Sequence, residues 1–219
     1  MRLPRPVAND DAEMASGVAV ETEDELRAAL DAGRTPVCVG AGCFTVEGGA
    51  RVLARGSARV QAFGSAEVVA RDSTQVEAFD SAKVAASDRA RVVAHGSAHV
   101  IAFRQATVEA HDRSTVEAYG KAEVEAHDRA RVACSDSSRL RAGDEVEVEA
   151  FGSAEVRARG SARVVGHGRA RIEARDRAHV EAHGGVSVEA YDAAEVLASR
   201  DVVVADHGPS TRIVRRFLG

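Results

Sequence analysis

Hydrophobic and polar residues alternate along most of this chain in a unit of eight positions, V-x-A-x-(G/D)-x-A-x. The unit repeats nineteen times without insertion or deletion between Val52 and Val203. Position 1 is Val and position 3 is Ala in seventeen units each, and the exceptions are Leu140, Ile172, Cys134 and Gly166. A strict short repeat is typical of solenoid proteins, in which each unit stacks on its neighbours.

Within each octad, positions 7, 1 and 3 are small or aliphatic, whereas positions 8, 2 and 4 are mostly charged or aromatic. This period of two predicts a β-strand with an Ala-Val-Ala inner face. Position 5 is Gly in eight units and Asp in nine, and both residues tolerate the left-handed backbone of a sharp corner. Two corners depart from the rule, at Phe103-Arg104-Gln105 and at Gly143-Asp144-Glu145-Val146, either as sequence drift or as marks of a site.

Position 4 indicates how many octads form one coil. Its residue is never the same in adjacent octads, but six of seventeen pairs sixteen residues apart are identical, including Phe63 with Phe79 and His95 with His111. A coil of three octads would leave a void between the small inner side chains, which close packing disfavours. The sequence therefore predicts an all-β fold, a parallel β-solenoid with two strands and sixteen residues per coil. About ten such coils, at about 4.8 Å each, would give a rod about 48 Å long.

The ends of the chain depart from the octad. We expect residues 1–17 to be a flexible N-terminal tail and residues 18–43 to form a cap. Thr22 and Glu25 form a capping-box pattern that predicts a helix over about 22–33, ended by Gly33 and followed by Pro36. An end cap is expected because an open stack of strands would otherwise polymerise.

We assign residues 44–203 to the octad solenoid and residues 204–219 to a C-terminal cap or tail. Gly208-Pro209 breaks the pattern there, and the segment Arg212 to Leu218 is basic and apolar. Two interpretations remain open for this segment. It folds over the last coil, or it docks onto a partner and drives polymerisation.

Composition excludes several classes of function. The chain carries 29 Lys and Arg against 34 Asp and Glu, a net charge of -5, and this balance argues against nucleic-acid binding. No window is apolar enough to span a membrane, and the N-terminus lacks a secretory pattern. Cys38, Cys43 and Cys134 have no metal-like spacing, so we expect a reduced, cytoplasmic setting and no cofactor. The abundance of Ala and Arg, with only two lysines, is typical of a GC-rich bacterium.

The octads resemble the central repeat of bacterial ice nucleation proteins, which consists of paired octads of the type AGYGSTxT. The matching stretches are Ala62-Phe63-Gly64-Ser65, Ala118-Tyr119-Gly120 and Ala150-Phe151-Gly152-Ser153. The resemblance covers about 150 of the residues printed above and implies a coil of sixteen residues and a capacity to assemble. It also implies Thr-x-Thr arrays that order water. This chain has Ala-x-Val there, as in Ala66-Glu67-Val68, so the resemblance concerns architecture.

Position 2 distinguishes the two sheets of the predicted solenoid. One column begins with Leu53, Val69, Ala85 and Ile101, beside Phe103, whereas the other consists largely of charged residues. A contiguous exposed apolar strip normally marks a contact surface. These five residues are our candidate interface for a second copy or another protein, and the alternative is that residues 1–20 fold back over them.

Position 4 also places His95, His111 and His127 in one predicted column, with His167 and His183 in the opposite one. Such columns are candidates for metal binding or for a response to pH. Parallel imidazoles on successive coils suit stacking better than convergence on one ion. We therefore expect position 4 to favour flat side chains at a corner, and the histidines remain weak metal candidates.

No catalytic constellation is apparent, since acidic pairs lie on a convex ladder and catalysis needs a cleft. We expect a non-catalytic scaffold that binds protein, another copy of itself above all, through a side or end surface. The alternative is binding of an extended or lattice ligand such as ice or a glycan. An enzymatic function is the least favoured of the three.

Overall fold

A computed structural model of the chain describes residues 16–215. These residues contain one helix, α1 (Glu23–Asp31), and 24 short strands. In chain order the strands are β1 (Val18–Val20), β2 (Pro36–Cys38), β3 (Cys43–Val46), β4 (Arg51–Ala54), β5 (Arg59–Ala62), β6 (Glu67–Ala70), β7 (Gln75–Ala78), β8 (Lys83–Ala86), β9 (Arg91–Ala94), β10 (His99–Ala102), β11 (Thr107–Ala110), β12 (Thr115–Ala118), β13 (Glu123–Ala126), β14 (Arg131–Cys134), β15 (Arg139–Ala142), β16 (Glu147–Ala150), β17 (Glu155–Ala158), β18 (Arg163–Gly166), β19 (Arg171–Ala174), β20 (His179–Ala182), β21 (Ser187–Ala190), β22 (Glu195–Ala198), β23 (Val203–Asp206) and β24 (Arg212–Arg215).

The strands form two parallel sheets that run the length of the rod. Sheet A has thirteen strands, β1 and all the even-numbered strands, and sheet B has the eleven odd-numbered strands from β3 to β23. Each strand of the repeat pairs with the strand sixteen residues later, as Val100 of β10 does with Val116 of β12. The structure is therefore the expected parallel β-solenoid with two strands and sixteen residues per coil.

The rod contains about twelve coils, so the prediction of about ten is too low. The additional coils come from β1, β2, β23 and β24, where the octad sequence is lost but backbone pairing continues. β22 and β24 pair Glu195 with Arg212, seventeen residues on, and β1 and β2 pair Val18 with Pro36, eighteen residues on. Parallel pairing depends on backbone geometry, and it tolerates these longer corners.

The inner face of each strand is small and aliphatic because only such side chains fit between two closely packed sheets. In β7, for example, Val76 and Ala78 are buried whereas Gln75 and Glu77 are exposed. Three polar residues are buried at position 7, namely Thr74, Ser114 and Ser138. The hydroxyl groups of Ser114 and Ser138 donate to backbone oxygens three residues earlier, at 2.7 and 2.8 Å, whereas that of Thr74 has no hydrogen-bond partner within residues 16–215.

Position 5 forms the corner between strands and has a left-handed backbone. Gly120 has a φ of 68° and Asp128 a φ of 58°. Asp has a further role at this position, since its carboxylate accepts a hydrogen bond from the backbone N–H of position 5 one coil earlier. Gly96 donates in this way to Asp112 at 2.8 Å, and Asp112 donates to Asp128 at 3.1 Å. The corner Asp therefore satisfies a backbone donor of the neighbouring coil.

Helix α1 lies between β1 and β2 and confirms the helix predicted near residues 22–33. The backbone N–H of Glu25 donates to the Thr22 side chain at 3.3 Å, and that of Thr22 donates to the Glu25 carboxylate at 3.3 Å, so the capping box is complete. Leu26 and Ala29 are buried against the first coils. The helix thus covers the N-terminal end of the core.

Candidate functional site

Flat side chains at position 4 stack in columns along both edges of the rod. On the edge that follows the strands of sheet B, Phe63, Phe79, His95, His111 and His127 form one continuous stack, with ring centroids 4.8 to 5.2 Å apart and interplanar angles of 6 to 14°. On the opposite edge, Phe103 stacks on Tyr119, and Phe151 stacks on His167 and His183. The near-parallel histidine rings confirm the expectation from the sixteen-residue spacing.

The histidine candidates for metal binding lie in this stack with their ring faces against one another. Nε2 of His111 lies 3.0 Å from Oε1 of Glu109, and Nε2 of His127 lies 3.8 Å from Oε1 of Glu125. His95 has Val93 in place of the glutamate. Within residues 16–215, no group of three or more His, Cys, Asp or Glu side chains is placed to hold a metal ion. The geometry of His95, His111 and His127 suits ring stacking and local pairing with carboxylates.

Glutamates at position 2 pair with donors at position 4 of the same octad, directly after the strand. The sequence analysis missed this regularity. The Tyr119 hydroxyl donates to Glu117 at 2.7 Å, and Arg175 donates to Glu173 at 2.6 Å. Burial and the hydrogen bond to Glu117 raise the pKa of Tyr119 to about 12. The signal was present in the sequence, since a glutamate occurs two residues before His111, Tyr119, His127, Arg175, His183 and Tyr191.

The apolar column of sheet A divides into a covered part and an accessible part. Leu53 is 0% exposed and Val69 is 6% exposed, although both point away from the main core. With Val37 they form a second buried cluster on the outer face of the sheet. Ala85, Ile101 and Phe103, the other three residues of the candidate interface, are half-buried. Of the five residues of the candidate interface, these three are the ones that offer accessible apolar surface to a partner.

A helix covers the core at the N-terminal end of the rod, where β1 and β3 are the terminal strands of the two sheets. Helix α1 packs against β1, β2 and β3, and Leu26 lies fully buried there. The carboxylate of Glu23 accepts a hydrogen bond from the backbone N–H of Thr45 in β3, at 2.9 Å. A side chain of the cap thereby satisfies a backbone donor in the first strand of sheet B, as protection of a sheet edge requires.

The C-terminal end differs, since within the described residues no helix covers its last coil. Val204 and Ile213 occupy inner positions, where other coils bury valine, but both are only partly buried. On the outer faces, Val203 is 66% exposed and Val214 is 42% exposed. β23 and β24 each pair on one side only within the described part of the chain. The C-terminal end thus presents four aliphatic side chains beside two strand edges. The sequence analysis did not identify this surface.

The segment between β23 and β24 is held by local hydrogen bonds. The side chain of Asp206 accepts hydrogen bonds from the backbone N–H of Gly208 and from the hydroxyl of Thr211. These bonds, with that of Thr211 first, hold the pKa of Asp206 below its usual value, although burial opposes them. The Arg215 guanidinium donates to the backbone oxygen of Val202 at 3.2 Å. The last coil is therefore an ordered surface.

Two of the three cysteines, Cys38 and Cys134, are buried. Burial raises the pKa of the Cys38 and Cys134 thiols to about 12, so both stay protonated at neutral pH. Grooves beside the corners are shallow and lined by alternating charges, as between Arg131, Glu145 and Arg163. The polar groups are arranged as ladders along the rod rather than around an enclosed cleft.

Within residues 16–215, no helix has the length and hydrophobicity needed to cross a membrane.

Comparison with known proteins identifies no relative of this chain. No protein-family model, curated protein or solved structure matches the chain. What the structure establishes is a parallel β-solenoid of about twelve coils with a sixteen-residue repeat.

Proposed function

We propose that this protein is a non-catalytic rod, located in the bacterial cytoplasm, that associates with a second copy of itself through its C-terminal end. The observation that carries the proposal is the contrast between the two ends. Helix α1 covers the N-terminal coil and Glu23 accepts a hydrogen bond from β3, whereas Val203 and Val214 are exposed beside the edges of β23 and β24. Exposed apolar side chains next to unpaired strand edges are a template for β-pairing.

The helix at the N-terminal end determines which assembly fits. Head-to-tail stacking would need an open edge at both ends and would produce a filament. Because helix α1 stands at the N-terminal end and would obstruct such stacking, the favoured arrangement is tail to tail about a two-fold axis, which is complete with two copies. The edge strands of the two copies then run antiparallel, an arrangement that β-strands accept readily.

The size of the end face predicts weak association. Two four-residue strands, β23 and β24, form the end, and they offer much less than the roughly 800 Å² per partner of a stable interface. We therefore expect a concentration-dependent dimer. Ion pairs between acidic Asp201 or Asp206 of one copy and basic Arg212 or Arg215 of the other would favour the tail-to-tail arrangement.

The accessible side surface is the competing interface. It consists of Ala85, Ile101 and Phe103, which are half-buried, and it would give a lateral pair of rods. The end surface has the stronger support because it combines exposed aliphatic groups with backbone donors and acceptors that lack partners within the described residues. The four residues after Arg215, which include Phe217 and Leu218, lie outside the described residues.

Size-exclusion chromatography with light scattering on the full chain tests the proposal. The end variant is Val203→Asp with Val214→Asp, and the side variant is Ile101→Asp with Phe103→Asp. Each replaces two accessible apolar residues by two carboxylates, so the variants are matched in charge. We expect the unmodified protein and the side variant to increase in mass with concentration, and the end variant to remain monomeric.

Two outcomes would overturn the proposal. A monomer at every concentration for the unmodified protein would exclude self-association, and loss of association in the side variant alone would move the interface to the side surface. Circular dichroism on each variant checks that the β-structure is retained. A chain ending at Asp206 adds a third comparison, because it removes β24 and the residues after it.

Binding of an extended or lattice ligand has weaker support. The resemblance to the ice nucleation repeat implies straight outer columns, and the columns here carry Glu, Arg and His. The ring faces that a glycan would contact are covered by their neighbours in the stacks. A freezing assay with the full chain would test the ice alternative directly.

A further inference from the structure

Aspartates at the corners show where the backbone of this solenoid binds a carboxylate. The N–H group of position 5 donates to the aspartate at position 5 of the next coil, as Gly160 does to Asp176 at 3.0 Å. Eight such hydrogen bonds, 2.8 to 3.2 Å long, occur within the described residues. An N–H group at a corner is therefore directed at a place where an oxyanion can be bound.

Three successive corners on the edge that follows sheet A carry glycine instead of aspartate, namely Gly152, Gly168 and Gly184. A Cβ atom on Gly168 would lie 3.3 Å from the backbone nitrogen of Gly152, so an aspartate there would reach this amide as aspartates do in other coils. With glycine, the amides of Gly152 and Gly168 have no acceptor within residues 16–215. The amide of Gly184 donates to the Ser199 hydroxyl oxygen at 3.2 Å.

Arg169 adds a positive charge beside these two amides. It directly follows Gly168, is exposed, and forms no ion pair within the described part of the chain. A Cβ atom on Gly185 would lie 3.9 Å from Cγ of Arg169, which places the arginine side chain beside the glycines of the next coil. A guanidinium without a carboxylate partner, next to N–H groups that lack an acceptor, favours the binding of an anion.

The groove next to Arg169 has an excess of positive charge. Its charged side chains are four basic and two acidic ones, namely Lys121, Arg139, Arg169, Arg171, Glu123 and Glu155. Both glutamates pair with arginines of the groove, Glu123 at 3.2 Å and Glu155 at 3.6 Å. The groove also contains Ser153, which directly follows Gly152. The local excess is opposite in sign to the net charge of the chain, which is -5.

We propose that these residues form an oxyanion site that binds the phosphate groups of a short oligophosphate, with one group at each glycine amide. We call this site the glycine corner, and it consists of Gly152, Ser153, Gly168, Arg169 and Arg171. It contains no residue of β23 or β24, so its binding does not depend on the association proposed above.

Two features favour phosphate over a carboxylate as the ligand. At the aspartate corners a single amide is sufficient for a carboxylate, whereas the glycine corner adds the charge of Arg169, and a phosphate group has about 1.5 to 2 negative charges and three acceptor oxygens. The amides of Gly152 and Gly168 belong to adjacent coils about 4.8 Å apart, so linked phosphate groups can contact both.

Isothermal titration calorimetry of the full chain with inorganic phosphate and with tripolyphosphate tests the site. We expect both to bind, and tripolyphosphate to bind more tightly because it contacts two coils. Gly168→Asp supplies an internal carboxylate to the Gly152 amide and should weaken both ligands by about tenfold or more. The variant should fold, since the equivalent Asp136 has a similar φ of 58° against 70° for Gly168, and circular dichroism checks this.

Gly64→Asp is the matched control for Gly168→Asp. It makes the same change of charge at a glycine corner on the opposite edge, where a Cβ atom would lie 3.4 Å from the backbone nitrogen of Gly48. No arginine directly follows either of these glycines, since Gly49 and Ser65 do. We expect Gly64→Asp to leave the affinity for both anions unchanged.

Arg169→Gln should also weaken binding by about tenfold, because it removes a charged donor. Arg177→Gln is its control, since Arg177 is an exposed arginine at the same position 6 on the opposite edge. In amide NMR spectra of the full chain, the resonances of Gly152 and Gly168 should shift on addition of tripolyphosphate.

Four outcomes would overturn the glycine corner. They are absence of binding by both anions, equal losses in the variants and their controls, binding without a shift of the two glycine amides, and binding of acetate as tightly as inorganic phosphate. The last outcome would assign the surface to carboxylates rather than to phosphate.

Discussion

A Cβ atom on Gly166 would lie 2.6 Å from the Cδ1 atom of Ile172, so these two core residues are complementary in size. Gly166 departs from the alanine usual at position 3, and Ile172 departs from the valine usual at position 1. The additional methyl group of Ile172 occupies the space that an alanine at position 166 would need. Two departures from the repeat thus compensate each other within one coil.

This relationship predicts a non-additive double-mutant cycle. Gly166→Ala alone should destabilise by about 1 to 2 kcal/mol because it overpacks the core, and Ile172→Val alone should cost about 1 kcal/mol by leaving a small cavity. The double variant restores the usual pair and should be at least as stable as the unmodified protein, since alanine is also favoured over glycine in a strand. Urea unfolding measures all four proteins, and additive effects would contradict the size relationship.

The corner aspartates predict a ranking of substitutions at Asp128. Its φ is 58°, and its carboxylate accepts from the backbone N–H of Asp112 at 3.1 Å. Asn keeps the acceptor, tolerates this φ and removes a like charge between Asp112 and Asp144, so we expect Asp128→Asn to be neutral or stabilising. Gly relieves the backbone strain but loses the hydrogen bond, and Ala loses the bond and keeps the strain.

We therefore expect unfolding free energies at position 128 in the order Asn, Asp, Gly and Ala, with Ala lower than Asp by about 1 to 2 kcal/mol. Urea unfolding of the four proteins checks this order. If Ala and Gly were equally stable, the left-handed backbone would not be the reason for the choice of residue at this position.

The buried hydroxyl of Thr74 predicts a stabilising substitution. It has no hydrogen-bond partner in the described part of the chain, whereas the equivalent hydroxyl of Ser114 donates to the backbone oxygen of His111 at 2.7 Å. Thr74→Val replaces the hydroxyl by a methyl group, and valine already occupies this position at Val186. We expect a gain of about 1 kcal/mol in unfolding free energy, since a buried polar group without a partner costs about that much or more.

Ser114→Ala is the control for Thr74→Val, because it removes a satisfied hydroxyl at the same position of the repeat. It should be neutral or destabilising by up to about 1 kcal/mol. Thermal unfolding monitored by circular dichroism compares the two variants, and a lower midpoint for Thr74→Val would contradict the prediction.

The repeat predicted much of this fold because each local choice recurs in every coil. The alternation of apolar and polar residues predicted the strands, and Gly and Asp at position 5 predicted the corners. The spacing of sixteen between residues such as His95 and His111 predicted the length of one coil. The extra coils were missed because β24 pairs through its backbone after a longer corner, which leaves no octad to recognise. The burial of Leu53 could not be decided from the octad, because Leu197 shares its position in the repeat and is only half-buried.

The surface pattern was less predictable for a related reason. The pairing of glutamate at position 2 with a donor at position 4 is a correlation between columns, and each column alone looks like tolerated variation. Likewise, the exposure of Val203 depends on where the stack ends, which octad counting placed too early.

Arg104 is an unusual corner residue. We expect its replacement by glycine to increase the unfolding free energy more at acidic pH than at neutral pH. Its φ is 58°, and its guanidinium lies 2.6 Å from the Asp88 carboxylate. Burial acts to raise the pKa of Asp88, but the hydrogen bond and charge of Arg104 outweigh it and hold that pKa below its usual value. A carboxylate with a lowered folded-state pKa contributes stability above its unfolded pKa of about 3.9, and this contribution disappears as the pH falls through the folded value.

Arg104→Gly removes an exposed ion pair worth at most about 1 kcal/mol and relieves a left-handed arginine that costs about 1 to 2 kcal/mol. We therefore expect a neutral or stabilising effect at pH 7 and a larger gain in acid, once the pH has fallen through the lowered pKa of Asp88 and the unmodified protein has lost the ion pair. Arg200, the other arginine at position 5, does not have a positive φ, so Arg200→Gly should give no such gain. Urea midpoints measured from pH 7 downward into the acidic range decide the matter, and an effect of Arg104→Gly that does not change with pH would show that the ion pair adds no stability.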